Sequence, residues 1–510
     1  MRRALGGSSC LVGMAAAGLL LGACALGPDY QAPPAPEDTA YAVNPETAGD
    51  TGAPAASHSP AIAAQAFDTA ARVRADWYRV FESERLDALI EQAVQNSPTL
   101  AAGQARIRAA REVVKQNKAA LYPQISVGAG YDRRRVTGAQ FGINDPQFTN
   151  VFNFYEAQAT ASYDLDLFGR TRRRIEATSA ALDEQQYQVA NTYVTLINNV
   201  VATALAEAGL NAALQTTRAL IDSQADALDI VGKQIAFGVA IDADATQIRT
   251  QLARTRASLE PLKKQKTLAV NRLAVLVGST PGRFEDPGFT LDEIALPRDL
   301  PASLPSQLVN QRPDVLAAAA AVHAASARIG VATANLLPDL RISGSYTRQA
   351  LTPANLGNPI NALYTLGAQL AAPIFTGGRL RARRRQARDL YVAALADYRA
   401  TTLAAFGDVA NALRALEADA RALIAQQTAV DAARDNLDTV RTQIRNGAAD
   451  YVSLYTAQAQ YQTAQLDFTR ARVTRYRDTA DLFRALGGGW ANADGQALPA
   501  ATGIPAAAHE

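Results

Sequence analysis

Two periodicities divide this chain. In Gln124–Asp132, Ile125, Val127, Ala129 and Tyr131 alternate with Gln124, Ser126, Gly128, Gly130 and Asp132. In Tyr155–Asp166, Tyr155, Ala157, Ala159, Ala161, Tyr163 and Leu165 stand against Glu156, Gln158, Thr160, Ser162, Asp164 and Asp166. Leu340, Ile342, Gly344 and Tyr346, and then Tyr364, Leu366, Ala368 and Leu370, repeat the alternation further on. A period of two belongs to a strand with one apolar and one polar face. It predicts strands at about 124–133, 153–166, 339–348 and 362–372. Strands of this length with tyrosines near their ends fit a membrane barrel with an apolar lipid face and a wet lumen; a half-buried soluble hairpin shares the alternation.

Four strands cannot close a barrel, because about eight is the practical minimum. An open sheet edge cannot face lipid, since its backbone groups would go unsatisfied. A membrane reading therefore demands an oligomer. Two chains give eight strands, which side chains fill; a duct needs more, which favours three chains and twelve strands.

Between the strand pairs the period changes. No proline occurs between Pro146 and Pro261, or between Pro373 and Pro499. Arg170–Phe237 and Arg379–Asn446 read as helices of 68 residues, each about 100 Å long at the helical rise. Their second halves carry apolar residues seven apart: Leu214, Ile221, Leu228 and Ile235, then Leu423, Val430, Leu437 and Ile444. That spacing imposes a left-handed supercoil against neighbouring helices. A core stripe in a globular bundle would show the spacing but not the length.

The elements recur at fixed offsets. Pro98, Pro123 and Tyr131 match Pro313, Pro338 and Tyr346 at 215 residues. Gly169-Arg170, Gln234-Ile235, Gly238 and Gly278 match Gly378-Arg379, Gln443-Ile444, Gly447 and Gly487 at 209. Two copies of one unit follow. Repeat 1 covers 61–280, with further helices before Pro123 and at 243–277; repeat 2 covers 281–490, with its last helix at 451–486.

Composition narrows the chemistry. Of 510 residues, 48% are hydrophobic and 19% charged, with three His and two Cys. His58, His323 and His509 stand far apart, so no metal, cofactor or Cys–His nucleophile is expected, and no catalytic residue. Residues 1–23 read as a signal peptide, with Arg2 and Arg3 before an apolar run, and removing them leaves 48 basic and 48 acidic residues. A neutral chain without a basic block lacks the footprint of a nucleic-acid binder. The arginine clusters Arg170–Arg174 and Arg381–Arg385 are each confined to about one turn of helix just inside a strand-to-helix junction, which argues against a nucleic-acid patch. Leu21-Gly22-Ala23-Cys24 resembles a bacterial lipobox, which makes Cys24 the lipidation site, against the alternative of an ordinary signal peptide with an incidental cysteine. Residues 24–60, rich in Pro, Ala, Gly and Thr from Gly27 on, read as a poorly ordered tether, and 491–510 as a disordered tail.

Several motifs at repeat spacing resemble the TolC-like outer membrane factors, and within them the OprM/NodT lipoprotein branch. They are Cys24-Ala-Leu-Gly-Pro-Asp-Tyr30 with Pro33, Leu165-Asp-Leu-Phe-Gly-Arg170, Arg312-Pro-Asp314, Pro373-Ile-Phe-Thr-Gly-Gly-Arg379 and Asn446-Gly-Ala-Ala-Asp-Tyr451. The resemblance implies an α+β membrane protein in the bacterial outer membrane, lipid-anchored and extending into the periplasm. It implies a homotrimer whose twelve-stranded barrel, four strands per chain, continues into a long α-helical barrel. Ala61–Asn96, the linker 281–308 and the tail would form an equatorial belt. It further implies a passive exit duct for small molecules, served by a periplasmic adaptor and an inner-membrane transporter of the RND type. A type I protein-secretion duct and a lumen-free coiled-coil envelope lipoprotein are the alternatives; the lipobox and the alternating strands disfavour them in turn.

The candidate working element is a gate where each long helix turns, at Gly238 and Gly447. Asp242, Asp244, Arg445, Asp450 and Tyr451 lie beside these turns, and a threefold assembly would make a ring of each. A ring of carboxylates repels itself unless cations or arginines compensate it. By resemblance Asp450 lies near the constriction, with Arg445 as its candidate partner. Asp242 and Asp450 could equally cap the helices that follow them.

Overall fold

The computed structural model describes residues 26–34, 65–68, 73–74, 76–137, 142–143, 150–301 and 308–490. Cys24, the signal peptide and the C-terminal tail lie outside them. The chain divides into two compact units. One comprises Met1–Pro33, Arg108–Glu184 and Ala318–Tyr398; the other comprises Pro34–Ile107, Gln185–Ala317 and Arg399–Glu510. The described helices are α1 (Glu84–Asn96), α2 (Pro98–Ala119), α3 (Arg170–Ala236), α4 (Asp242–Leu276), α5 (Pro313–Ala334), α6 (Arg379–Arg445) and α7 (Tyr451–Ala485). The strands are β1 (Ala66–Asp68), β2 (Gln124–Val136), β3 (Asn150–Leu165), β4 (Asp299–Pro301), β5 (Asp339–Ala350) and β6 (Ala362–Ala371).

The first unit is built on an antiparallel sheet in the order β2-β3-β5-β6. Its register pairs Ile125 with Ala161, Asp164 with Arg341, and Tyr346 with Tyr364. Because side chains alternate along a strand, this register puts every apolar position named above on one face and every polar one on the other. The polar face carries the ion pair Arg341 Nε–Asp164 Oδ1 at 2.6 Å and the bond from Gln349 Nε2 to Glu156 Oε2 at 2.9 Å. β2 and β6 are the sheet's edges.

β2 and β3 run further than the alternation indicates, reaching Val136 and starting at Asn150. Hydropathy ceases to alternate once Arg133, Arg134 and Arg135 enter, but the backbone pairing continues through Arg134↔Phe152. Arg134 rides over the Phe154 ring at 5.8 Å and is paired with Asp132 at 2.7 Å.

Leu26–Tyr30, part of the stretch 24–60 expected as a loose tether, is instead tied to this unit. Leu26 N donates to Phe168 O at 3.3 Å. Arg173, almost wholly buried, bonds Leu26 O at 3.3 Å, Asp29 Oδ1 at 2.6 Å and Glu176 Oε2 at 2.8 Å. Tyr30 stacks on His323 at 4.1 Å between ring centroids, and His323 Nε2 lies 3.1 Å from Glu176 Oε1. Gly27 lies so close to Gly330 that a Cβ on it would fall 2.5 Å from that residue's Cα. Arg172 bonds Asp166 through its backbone N–H and its side chain, at 3.0 and 3.2 Å. Two of the Arg170–Arg174 cluster are therefore internal fasteners.

In the second unit, Trp77, Phe81, Tyr476 and Phe483 form an aromatic core, with Trp77 stacked on Phe483 at 5.1 Å. β1 and β4 pair in parallel, Ala66 with Asp299. Arg312 of the Arg-Pro-Asp motif is buried, held by Asp314 at 2.7 Å and Asp408 at 3.1 Å, and donates to Ala485 O at 3.1 Å. α3 and α6 have 67 residues each, α4 and α7 have 35 each, and α2 and α5 have 22 each. Of the seven-residue stripes, Leu214, Leu423 and Leu437 are buried and the others half-buried.

Candidate gate at the helix turns

Both long helices end in the same way. Gly238 has φ 73°, its N–H donates to Ile235 O at 3.0 Å, and Val239 N donates to Gln234 O at 2.9 Å. Gly447 has φ 71°, with Gly447 N to Ile444 O at 2.9 Å and Ala448 N to Gln443 O at 2.8 Å. This pair of bonds closes a helix through a left-handed residue, a conformation glycine adopts without steric cost. It frees the chain to reverse within five residues, 237–241 and 446–450.

The next helices start differently. Asp450 is the residue before α7, and its Oδ1 accepts from Ser453 N at 2.7 Å. Bonds from the Ser453 hydroxyl and backbone N–H hold its carboxyl below the usual carboxylate range. The position before α4 is Ile241, which has no side-chain acceptor. Asp242 is therefore already inside α4 and does not cap it, which corrects the capping alternative at that site. The repeat offset places Ile241, not Asp242, opposite Asp450. Asp244 compensates partly: its Oδ2 accepts from Ile241 N at 3.3 Å.

Arg445 does not reach Asp450 within the chain. Its Nη2 donates to Thr442 Oγ1 at 3.0 Å instead. Tyr451 packs on an apolar cluster of Val231, Ala245 and Ile248, so within the chain it braces the two turns against each other. Phe237, Val239 and Ile241 are left exposed, Phe237 at 83%. Beside them α3 and α4 frame a cleft of about 690 Å³, lined in part by Leu228, Lys233, Arg249 and Arg256. The sequence reading missed this exposed trio, although its alternation with Gly238 and Ala240 is visible in the turn. Among the described residues no cluster of three or more His, Cys, Asp or Glu is placed to hold a metal ion.

The model of the outer membrane efflux protein family matches the chain twice, over residues 89–279 and 304–488. The chain belongs to the outer membrane efflux protein family. It is 29% identical over 416 residues to the pyoverdine export outer membrane protein OpmQ of Pseudomonas aeruginosa, covering 81% of this chain and 87% of that one. It is 28% identical to the outer membrane protein OprJ of Pseudomonas aeruginosa, covering 92% and 94%. Among solved structures, the outer-membrane channel OprN superposes with a TM-score of 0.82 at 26% identity, over 92% of this chain and all of that one. The chain thus has the fold of a TolC-like outer-membrane channel, resides in the outer membrane and serves as an exit duct for efflux. No enzyme is named among these relatives.

Proposed function

We propose that three copies of this efflux protein close a twelve-stranded barrel and continue it into a helical duct in the periplasm. The observation that carries this reading is the sheet: four strands, two open edges and two faces of opposite polarity. Joining the β6 edge of one copy to the β2 edge of the next satisfies both edges, and leaves the apolar face to lipid and the Asp164–Arg341 face to water. The two tandem repeats, 61–280 and 281–490, would supply two strands and one continuous pair of columns each.

Cleavage after Ala23 would leave Cys24 as an acylated N-terminus two residues before the tied segment, so the lipid anchor holds the unit that carries the sheet. The tips would dock a periplasmic adaptor through Phe237, Val239 and Ile241 and the basic cleft beside them. The adaptor would join the duct to an inner-membrane transporter of the RND type, which supplies the energy. A ring of Asp450, with Arg445 turned from Thr442 toward a neighbouring copy, would form the gate at the tip; Gly238 and Gly447 would be its hinges. The cargo class is small molecules, in keeping with a relative named for pyoverdine export. That name favours small-molecule efflux over a protein-secretion duct.

Mass determination of the detergent-solubilised lipoprotein, combined with cysteine pairs scanned along β2 and β6, tests the closure. A three-chain particle with disulfides that link different copies at a single register is expected. A monomer, or cross-links confined to one copy, would remove the basis of the proposal.

A further inference from the structure

The charges of the sheet are sorted by sign. The carboxylates of its four strands, Asp132, Glu156, Asp164 and Asp339, all project to the polar face. The arginines of that face are neutralised: Arg134 pairs with Asp132 at 2.7 Å, and Arg341 with Asp164 at 2.6 Å. The apolar face also carries charge, and all of it is arginine. Arg133, Arg135 and Arg348 share the side of Ile125, Val127 and Tyr346. Among the described residues none of the three is paired with a carboxylate. Arg348 finds only neutral acceptors, all through Nη1 and Nε: Gly357 O at 2.9 Å, Leu356 O at 3.2 Å and the Tyr346 hydroxyl at 3.2 Å.

Their height is as telling as their side. All three lie at the strand ends that lead into loops, away from the ends that continue into helices. Tyr131 and Tyr346 lie two residues nearer the middle of the sheet than Arg133 and Arg348 on the same face, and the Tyr131 ring lies tilted against Tyr155 at 5.0 Å between centroids. The Tyr-x-Arg pattern of Tyr131 and Arg133 recurs at Tyr346 and Arg348 at the repeat offset of 215. Tyrosines on a lipid face mark the level where hydrocarbon meets headgroups. An arginine without a carboxylate partner one step beyond stands among the headgroups themselves, on the side away from the periplasmic helices. A guanidinium fork matches a phosphate in charge and bidentate geometry.

We infer that Arg133, Arg135 and Arg348 form a binding surface for the phosphorylated headgroups of the outermost lipid leaflet, encircling the barrel above its tyrosine belt. The inference rests on the lipid-facing orientation of the sheet under Proposed function, and assigns that face a headgroup chemistry. A surface merely kept soluble by charge would not need one sign alone, nor the exclusion of every strand carboxylate to the other side.

The test adds diphosphoryl lipid A to the full-length lipoprotein in neutral detergent and follows the thermal midpoint of the assembly. A saturable rise is expected with the phosphorylated lipid. A much smaller one is expected with its dephosphorylated form, and none with inorganic phosphate at the same concentration. The triple variant Arg133→Gln, Arg135→Gln, Arg348→Gln should lose the rise, the corresponding triple lysine variant should keep most of it, and Arg134→Gln should keep it in full. An equal rise with the dephosphorylated lipid, or with inorganic phosphate, overturns the proposal, and so does a triple glutamine variant that retains the response. If that variant does not assemble, the comparison of the two lipids on the wild type still decides. Failure of the trimer reading would show separately, as a wrong particle mass in the absence of lipid.

Discussion

Asp450 occupies in the second helix turn the place that Ile241 occupies in the first, 209 residues earlier. One turn is capped by a carboxylate and the other is not: at α4 the donor equivalent to Ser453 N, Asp244 N, turns to the Ile241 carbonyl at 3.0 Å, and Asp244 Oδ2 accepts from Ile241 N at 3.3 Å. Replacing Asp450 with Ala should cost about 1 kcal/mol at the start of α7, and Ile241→Asp should gain a similar amount at the start of α4. The Asp450 carboxyl is held low, so its contribution is present above the unfolded carboxylate value and is lost as pH falls through the lower native one, below about 4. Hydrogen exchange at residues 242–245 and 451–454 reads both effects. Faster exchange at 242–245 in Ile241→Asp would contradict the assignment of that position as the cap.

Asp419 on α6 faces Asp478 on α7. Burial, and then the hydrogen bond and repulsion from Asp478, push its carboxyl up to about 7, while Arg475 pulls the other way. A raised carboxyl stabilises the fold most when protonated. Stability should therefore be fully present below about pH 4, where the unfolded group is also protonated, and should decline as pH rises through about 7. Asp419→Asn should flatten the fall in thermal midpoint that the wild type shows between about pH 4 and pH 7, the interval in which the native carboxyl keeps a proton that the unfolded chain has released. Parallel pH profiles for the two proteins would exclude this pair as the cause.

Arg173 fastens the N-terminal segment through Leu26, Gly27 and Asp29. Its removal leaves several acceptors without a charged donor, a loss of about 1.5–3 kcal/mol for such bonds. In Arg173→Ala, Leu26–Pro34 should become susceptible to limited proteolysis while the sheet and helices stay resistant. A cleavage pattern unchanged from wild type would show that Tyr30 and His323 suffice to hold the segment.

Gly238 and Gly278 both close helices at positive φ, 73° and 72°. A Cβ at Gly238 would meet open space, whereas at Gly278 it would fall 2.4 Å from Asn96 O. Gly238→Ala should thus carry only the left-handed penalty of about 1–2 kcal/mol, and Gly278→Ala clearly more, because backbone must move. Thermal midpoints of the two variants rank them. Equal losses would mean that the Asn96 carbonyl yields freely.

Much of this architecture was legible in the sequence, because it rests on long periodic patterns. Ile125 to Tyr131 announce a strand, and Leu214 to Ile235 announce a helix packed along its length, with no tertiary information required. The strand ends were not legible, since Arg133–Arg135 interrupt the alternation while the backbone ladder continues beneath them. The tie between Arg173 and Asp29 was invisible for another reason: its partners stand 144 residues apart, and neither lies in a pattern of its own. Around Arg173 the sequence shows only a run of positive charge. The absent cap at Ile241 is readable from the repeat offset, and the aspartate beside it, Asp242, falls one position too late to replace it.

A continuous lumen that narrows at the tip is what an exit duct gated by Asp450 requires. Single-channel conductance of the purified assembly in planar bilayers, wild type beside Asp450→Ala, measures it most directly. A small conductance is expected in the wild type, rising when the carboxylate ring is removed. Conductance unchanged by the substitution would keep the duct and remove Asp450 from its gate, and silence in both proteins would contradict a ring of Asp450 that holds the lumen shut.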